Sequence, residues 1–183
     1  MKTLLVSLAI IFQVSVCLSA QKYSFEPEKG KVAFKTKGWP NLINIKGEAD
    51  GFKGLLEEVS KNKISGKLIF ALDKLKTGID LRDDHMKNKY LEVKTYPTAE
   101  LTLNELSIPS SGAGDFDFSG QLKVHGVTKD IVGKAKIEIA SGQKKMTAEF
   151  SIKLPDFNIE IPSYKGITVA EKVDVIVESL IIN

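Results

Sequence analysis

Only two histidines, His85 and His125, bring a group that titrates near neutral pH in its ordinary state. His85 ends the run Arg82-Asp83-Asp84-His85, in which a carboxylate can orient an imidazole and a guanidinium can grip an anion. One class of function is therefore an exported enzyme acting on a small amphiphile, with His85, Asp83 and Arg82 as its working groups. The other chemistries are poorly supplied. A protein metal site usually draws three or more ligands from His, Cys, Asp and Glu, and no ligand spacing such as His-x-x-x-His occurs, so neither metal nor cofactor is expected. The only cysteine, Cys17, lies in the N-terminal apolar segment, and no Gly-x-Ser-x-Gly elbow is present to expose a serine nucleophile.

The element that must position the Arg82 run is one short helix at about residues 80–91, the only helical stretch between long alternating segments. Asp80 stands at a plausible N-cap and Asp83 in the first turn, where carboxylates favour the positive helix end. Asp83 and Lys87 have the i, i+4 spacing of a surface ion pair. Met86 and Tyr90 share a stripe that can rest on a barrel mouth, with His85 offset to the rim. Arg82, His85 and Tyr90 are thus the expected mouth, and Arg82 is the best candidate for a phosphate or carboxylate head group. The competing role for Arg82 is an ion pair with Asp83, Asp84 or Glu92. His125 is out of phase with Leu122 and Val124, so its ring is expected to face away from the lumen, and His125-Gly126-Val127-Thr128-Lys129 reads as a hairpin device.

The rest of the chain is strand. Val32 and Phe34, then Ile43, Ile45, Gly47 and Ala49, alternate against polar neighbours, and Ile64 to Leu72 repeats the pattern. Leu101 and Leu103 follow the helix; Phe116, Phe118, Gly120 and Leu122, then Gly133 to Ile139, then Met146 to Leu154, and finally Val173 to Val177 complete the set. The fold class is all-β: an eight-stranded antiparallel up-and-down barrel, which removes sheet edges, with a two-sheet sandwich as the alternative. Gly47, Gly66, Gly120 and Gly133 fall on the inward phase, which favours an interior with room for a ligand. The expected cavity lining is Val32, Phe34, Ile45, Leu68, Phe70, Leu101, Phe118, Leu122, Phe150 and Ile152.

With 183 residues and no composition break, one domain is expected. The net charge is +3, and removal of a segment containing Lys2 lowers it further, too little for a nucleic-acid footprint. Residues 1–20 read as a signal peptide, with Lys2 as the positive end, Leu4 to Val16 as the apolar core and Ser19-Ala20 before the cut. The mature domain then spans 21–183, periplasmic or secreted. Val14-Ser15-Val16-Cys17 is a poor lipobox, because Val16 stands where a small residue is usual, so a lipoprotein anchored through Cys17 is the lesser expectation.

Two separated motifs carry a resemblance. Arg82-Asp83-x-His85 with Tyr90-Leu91-Glu92-Val93 and Tyr96-Pro97, followed later by His125-Gly126-Val127-Thr128-Lys129, are similar to the YceI family of exported lipid-binding proteins. The resemblance runs from Tyr23-Ser24-Phe25 to the last strand. It implies a lipocalin-like barrel that holds a long isoprenoid or similar amphiphilic lipid, for transport, storage or sequestration without catalysis; such a carrier leaves room for transient membrane contact. The chain departs from the family pattern at Glu92, where Asp is common, and at Asn158 in Asp156-Phe157-Asn158-Ile159, where Gly is usual.

Overall fold

Alternation of period two places one side of each strand against the interior, and the chain answers with a single antiparallel sheet. The computed structural model describes residues 22–25, 30–40 and 43–182; the expected signal peptide and Cys17 lie outside them. In chain order come β1 (Lys22–Phe25), β2 (Lys31–Trp39), β3 (Ile43–Asp50), β4 (Phe52–Ser60) and β5 (Lys63–Ala71). A 3₁₀ turn (Leu72–Lys74) leads to α1 (Asp80–Asp84), which widens into a π turn (His85–Tyr90). Next are β6 (Thr98–Ser107), β7 (Gly114–Val124), β8 (Val127–Ala140) and β9 (Gln143–Lys153). A second 3₁₀ turn (Leu154–Phe157), a small hairpin of β10 (Ser163–Tyr164) and β11 (Ile167–Val169), and β12 (Lys172–Ile182) finish the chain.

The regular eight-stranded barrel is not what forms. Among the described residues the sheet has twelve strands, on a path β1-β4-β5-β6-β7-β8-β9-β12-β2-β11-β10 with β3 branching from β2. The branch arises at β12. One side of β12 pairs with β9 along its whole length, while the other pairs with β2 from Asp174 to Glu178 and then touches β1 only through Ser24 with Ile182 and Phe25 with Ile181. A full ladder therefore does not close the ring. Instead β2 turns outward, carrying β3 on one side and the β10–β11 hairpin on the other. The strands that escaped the sequence reading as separate elements are the short ones, and β4, where Leu55-Leu56 and Glu57-Glu58 break the alternation.

The inward glycines do not create the space expected of them. Phe34 pairs across the ladder with Gly47 and Phe118 with Gly133, and each ring lies over its glycine. A Cβ at Gly47 would stand 2.4 Å from Phe34 Cε1, and one at Gly133 would stand 2.5 Å from Phe118 Cε1. Glycine here is a seat for an aromatic ring from the neighbouring strand. The interior divides into two ends. Leu103, Leu106, Phe118 and Met146 pack one end, leaving a void of about 20 Å³. The other end is hollow.

Candidate ligand cavity

The hollow end is a cavity of about 590 Å³, within the range of small-molecule sites. Val32, Phe34, Ile45, Leu68, Phe70, Leu101, Leu122, Phe150 and Ile152 all line it, as alternation along β2, β3, β5, β6, β7 and β9 requires. Phe118 does not. It belongs to the packed end, edge-on to Phe150 with ring centroids 6.1 Å apart, so it helps to form the cavity floor. Sequence reading placed it inside because phase along a strand distinguishes in from out but not floor from wall. Val173, Val175 and Val177 of β12 also line the cavity, on the face their alternation marks.

Arg82, His85 and Tyr90 all reach the cavity, from α1 and the π turn. Their bonds differ from those expected. Arg82 Nε donates to Thr77 Oγ1 and its Nη2 to the Thr77 carbonyl, both at 2.8 Å. The Asp83 carboxylate accepts from the Thr77 amide at 2.8 Å and from the Thr77 hydroxyl. Thr77 is thus held between both side chains, and among the described residues Arg82 forms no ion pair with Asp83, Asp84 or Glu92. Asp83 likewise forms no pair with Lys87. The N-cap is Ile79, which offers no side-chain bond, and Asp80 is already helical; the carboxylate of Asp83 reaching back to Thr77 supplies the anchoring expected of a cap. Asn88 donates to Asp84 at 2.7 Å.

Tyr90 is buried, its hydroxyl donating to the Ser163 carbonyl at 3.4 Å and accepting from the Ser163 amide at 3.3 Å. It ties the helical segment to β10. The His85 ring meets Tyr164 edge-on at 5.5 Å between centroids. Among the described residues it makes no hydrogen bond with Asp83 or Arg82, so the three do not form a connected acid–base relay. Sequence reading missed the opposite side of the mouth: Pro162, Ser163, Tyr164, Ile167 and Val169 belong to a hairpin too short to show a period.

The second motif builds a corner away from the cavity. His125 (φ 50°) and Gly126 (φ 76°) form the two-residue turn joining β7 to β8, the left-handed pair that a tight hairpin prefers. His125 Nδ1 lies 3.2 Å from the Phe157 carbonyl, which can only accept, so Nδ1 carries the proton. The ring packs on Tyr96 at 4.5 Å between centroids, with Nε2 3.8 Å from Glu92 Oε1. Asn158 occupies the left-handed region (φ 56°) at the end of the second 3₁₀ turn, a conformation that asparagine tolerates better than most residues, so the departure from glycine is accommodated. The clear shifts of acidity lie on exposed ladders instead. A bond from Lys67 at 2.9 Å holds Glu100 below the usual carboxylate range, and Ser151 does the same for Asp174.

A sequence profile of the YceI-like domain matches residues 23–179. A UPF0312 protein of Pectobacterium atrosepticum is 30% identical over 176 residues, covering 87% of this chain and 88% of that protein. This chain belongs to the YceI-like family. Among solved structures, the fold is similar to Burkholderia cenocepacia BcnA, with a TM-score of 0.71, 18% identity, and coverage of 85% of this chain and 98% of the other. A polyisoprenoid binding domain from Saccharophagus degradans gives a TM-score of 0.63 at 17% identity, covering 87% and 97% respectively. At these identities the neighbours show the fold alone.

Proposed function

We propose that this YceI-like protein is an exported carrier, non-catalytic, that holds a long-chain isoprenoid or similar amphiphilic lipid in the cavity between β2, β9, β12 and α1. Residues 1–20 serve as the signal peptide and 21–183 as the lipid-binding domain, in the periplasm or secreted. One observation carries the reading: a cavity of about 590 Å³ is walled almost entirely by aliphatic and aromatic side chains, and the polar groups of Arg82, Thr77 and Tyr90 at its mouth are already bonded within the protein. Such a wall rewards an apolar chain and offers little to a polar substrate. Two of the five Arg82 donors are engaged by Thr77, so we assign Arg82 to clamping the mouth and recognition to the chain and to cavity shape.

Burial of one methylene from water is worth about 0.8 kcal/mol, but a membrane lipid is already out of water, so the net gain on entering the cavity is small. The protein is accordingly a reversible buffer or shuttle. The test is to identify lipids in an organic extract of the purified native protein by mass spectrometry, then to load a labelled polyprenyl lipid and mix with vesicles. Transfer in both directions is expected. Conversion of the lipid to a new product would instead establish an enzyme working through His85, Asp83 and Arg82.

A further inference from the structure

The cavity lining does not stop at the surface. Ile43, Ile79, Leu81 and Tyr164 all line the cavity and are also exposed: Ile79 to 54%, Leu81 to 50% and Tyr164 to 47%. They lie on three elements that surround the opening, namely the start of β3, the entry to α1, and β10. Just outside stands Trp39, the only tryptophan of the chain, 65% exposed at the end of β2. Its backbone pairs with Thr168, between the cavity-lining Ile167 and Val169.

We propose that this rim docks the protein on a phospholipid bilayer, so that cargo passes between cavity and hydrocarbon without crossing water; the inference rests on the carrier reading above. Two features point to a lipid surface. The exposed apolar residues are continuous with the lumen wall, so inserting them joins two apolar phases. Each exposed ring at the rim also has a lysine close to it in the chain. Lys165 Nζ lies 5.3 Å from the Tyr164 ring centroid, and Lys37 sits two residues before Trp39, bonded to Asn44. Rings at the depth of the glycerol backbone with ammonium groups among the phosphates are the arrangement favoured at a membrane interface. The carboxylates of α1, Asp80, Asp83 and Asp84, stand against Arg82 on the same helix and the two lysines, since the bonds of Asp83 to Thr77 and of Asp84 to Asn88 come from neutral donors. The charges are few and nearly balanced, so apolar insertion drives docking and zwitterionic lipid suffices.

Trp39 reports on this directly. Native protein mixed with phosphatidylcholine vesicles is expected to show a blue shift of tryptophan emission, quenching by bromine-labelled acyl chains, and co-flotation that persists in high salt. Trp39→Asp should reduce flotation about tenfold or more while binding an apolar fluorescent probe as the native protein does, since Trp39 does not line the cavity. Ile79→Asp with Leu81→Asp, checked for native circular dichroism, should also abolish flotation. Unchanged emission with no flotation overturns the proposal, as does flotation only with anionic lipid. Concentration-dependent self-association that buries Trp39 without vesicles would mean that a second copy covers the rim, and also overturns it. Probe binding is measured without vesicles, so its failure would strike the carrier reading separately.

Discussion

Replacing Arg82 with glutamine separates a clamp from an anion receptor. The guanidinium gives two bonds of 2.8 Å to one residue, Thr77, which Asp83 grips from the other side. Hydrogen bonds from a charged donor contribute about 1.5–3 kcal/mol each. Water can reach this half-buried site and recover part of that, so Arg82→Gln is expected to cost about 2–3 kcal/mol in all. For a domain whose total stability lies near 5–15 kcal/mol, urea titration followed by circular dichroism resolves such a loss easily. The companion assay is binding of two apolar probes of equal length, one neutral and one with a terminal carboxylate. A clamp that shapes the mouth predicts equal weakening of both. Unchanged stability together with selective loss of the carboxylated probe would refute the reasoning and restore Arg82 as the head-group receptor.

Gly126→Ala places a Cβ at a φ of 76° and 2.8 Å from Tyr96 Cε1, so it should destabilise by about 2–3 kcal/mol, read as a lowered urea midpoint without loss of probe affinity. Gly133→Ala drives a methyl into the Phe118 ring and the Glu149 carbonyl, with an expected cost of about 1–3 kcal/mol. Asp174 is held below its usual range by Ser151 and then Lys172, so its contribution is present above the unfolded-state value and lost as pH falls through the folded one. Asp174→Asn should therefore cost about 0.2–1 kcal/mol at neutral pH, as exposed pairs do, and nothing in strong acid.

The walls of the cavity were legible in the sequence because alternation is a local property: each of Val32, Phe34, Leu68 and Phe150 follows from its immediate neighbours. What alternation cannot carry is position between the packed end and the hollow end, which is why Phe118 reads as wall and proves to be floor. The branch at β2 was illegible for a related reason, since the choice of β12 to pair with β2 and then β1 is made by strands far apart in the chain. Arg82 lines the cavity, yet its partner Thr77 lies in a loop with no periodic signal. In the same way, Glu92, Tyr96, His125 and Gly126 look like two separate sets of chemical groups in one dimension. In three they are one corner, where the ring of Tyr96 lies over Gly126 and against His125, and the imidazole bonds the turn that follows β9.

That division of labour bears on why the interior is hollow at one end. A void of about 590 Å³ left empty forgoes contacts that a filled core would make. Admitting water through the mouth reduces that cost but sets the water against valine, isoleucine, leucine and phenylalanine, with few partners to bond. Substituting larger side chains at Ala99 or Val175, both on the wall, would recover packing without disturbing a single ladder bond. The small residues therefore do not serve stability, which the filled end around Leu56, Leu103 and Met146 and the Tyr96–His125 corner already supply. In the carrier reading, an apolar chain in this space covers the wall and releases poorly bonded water to the bulk.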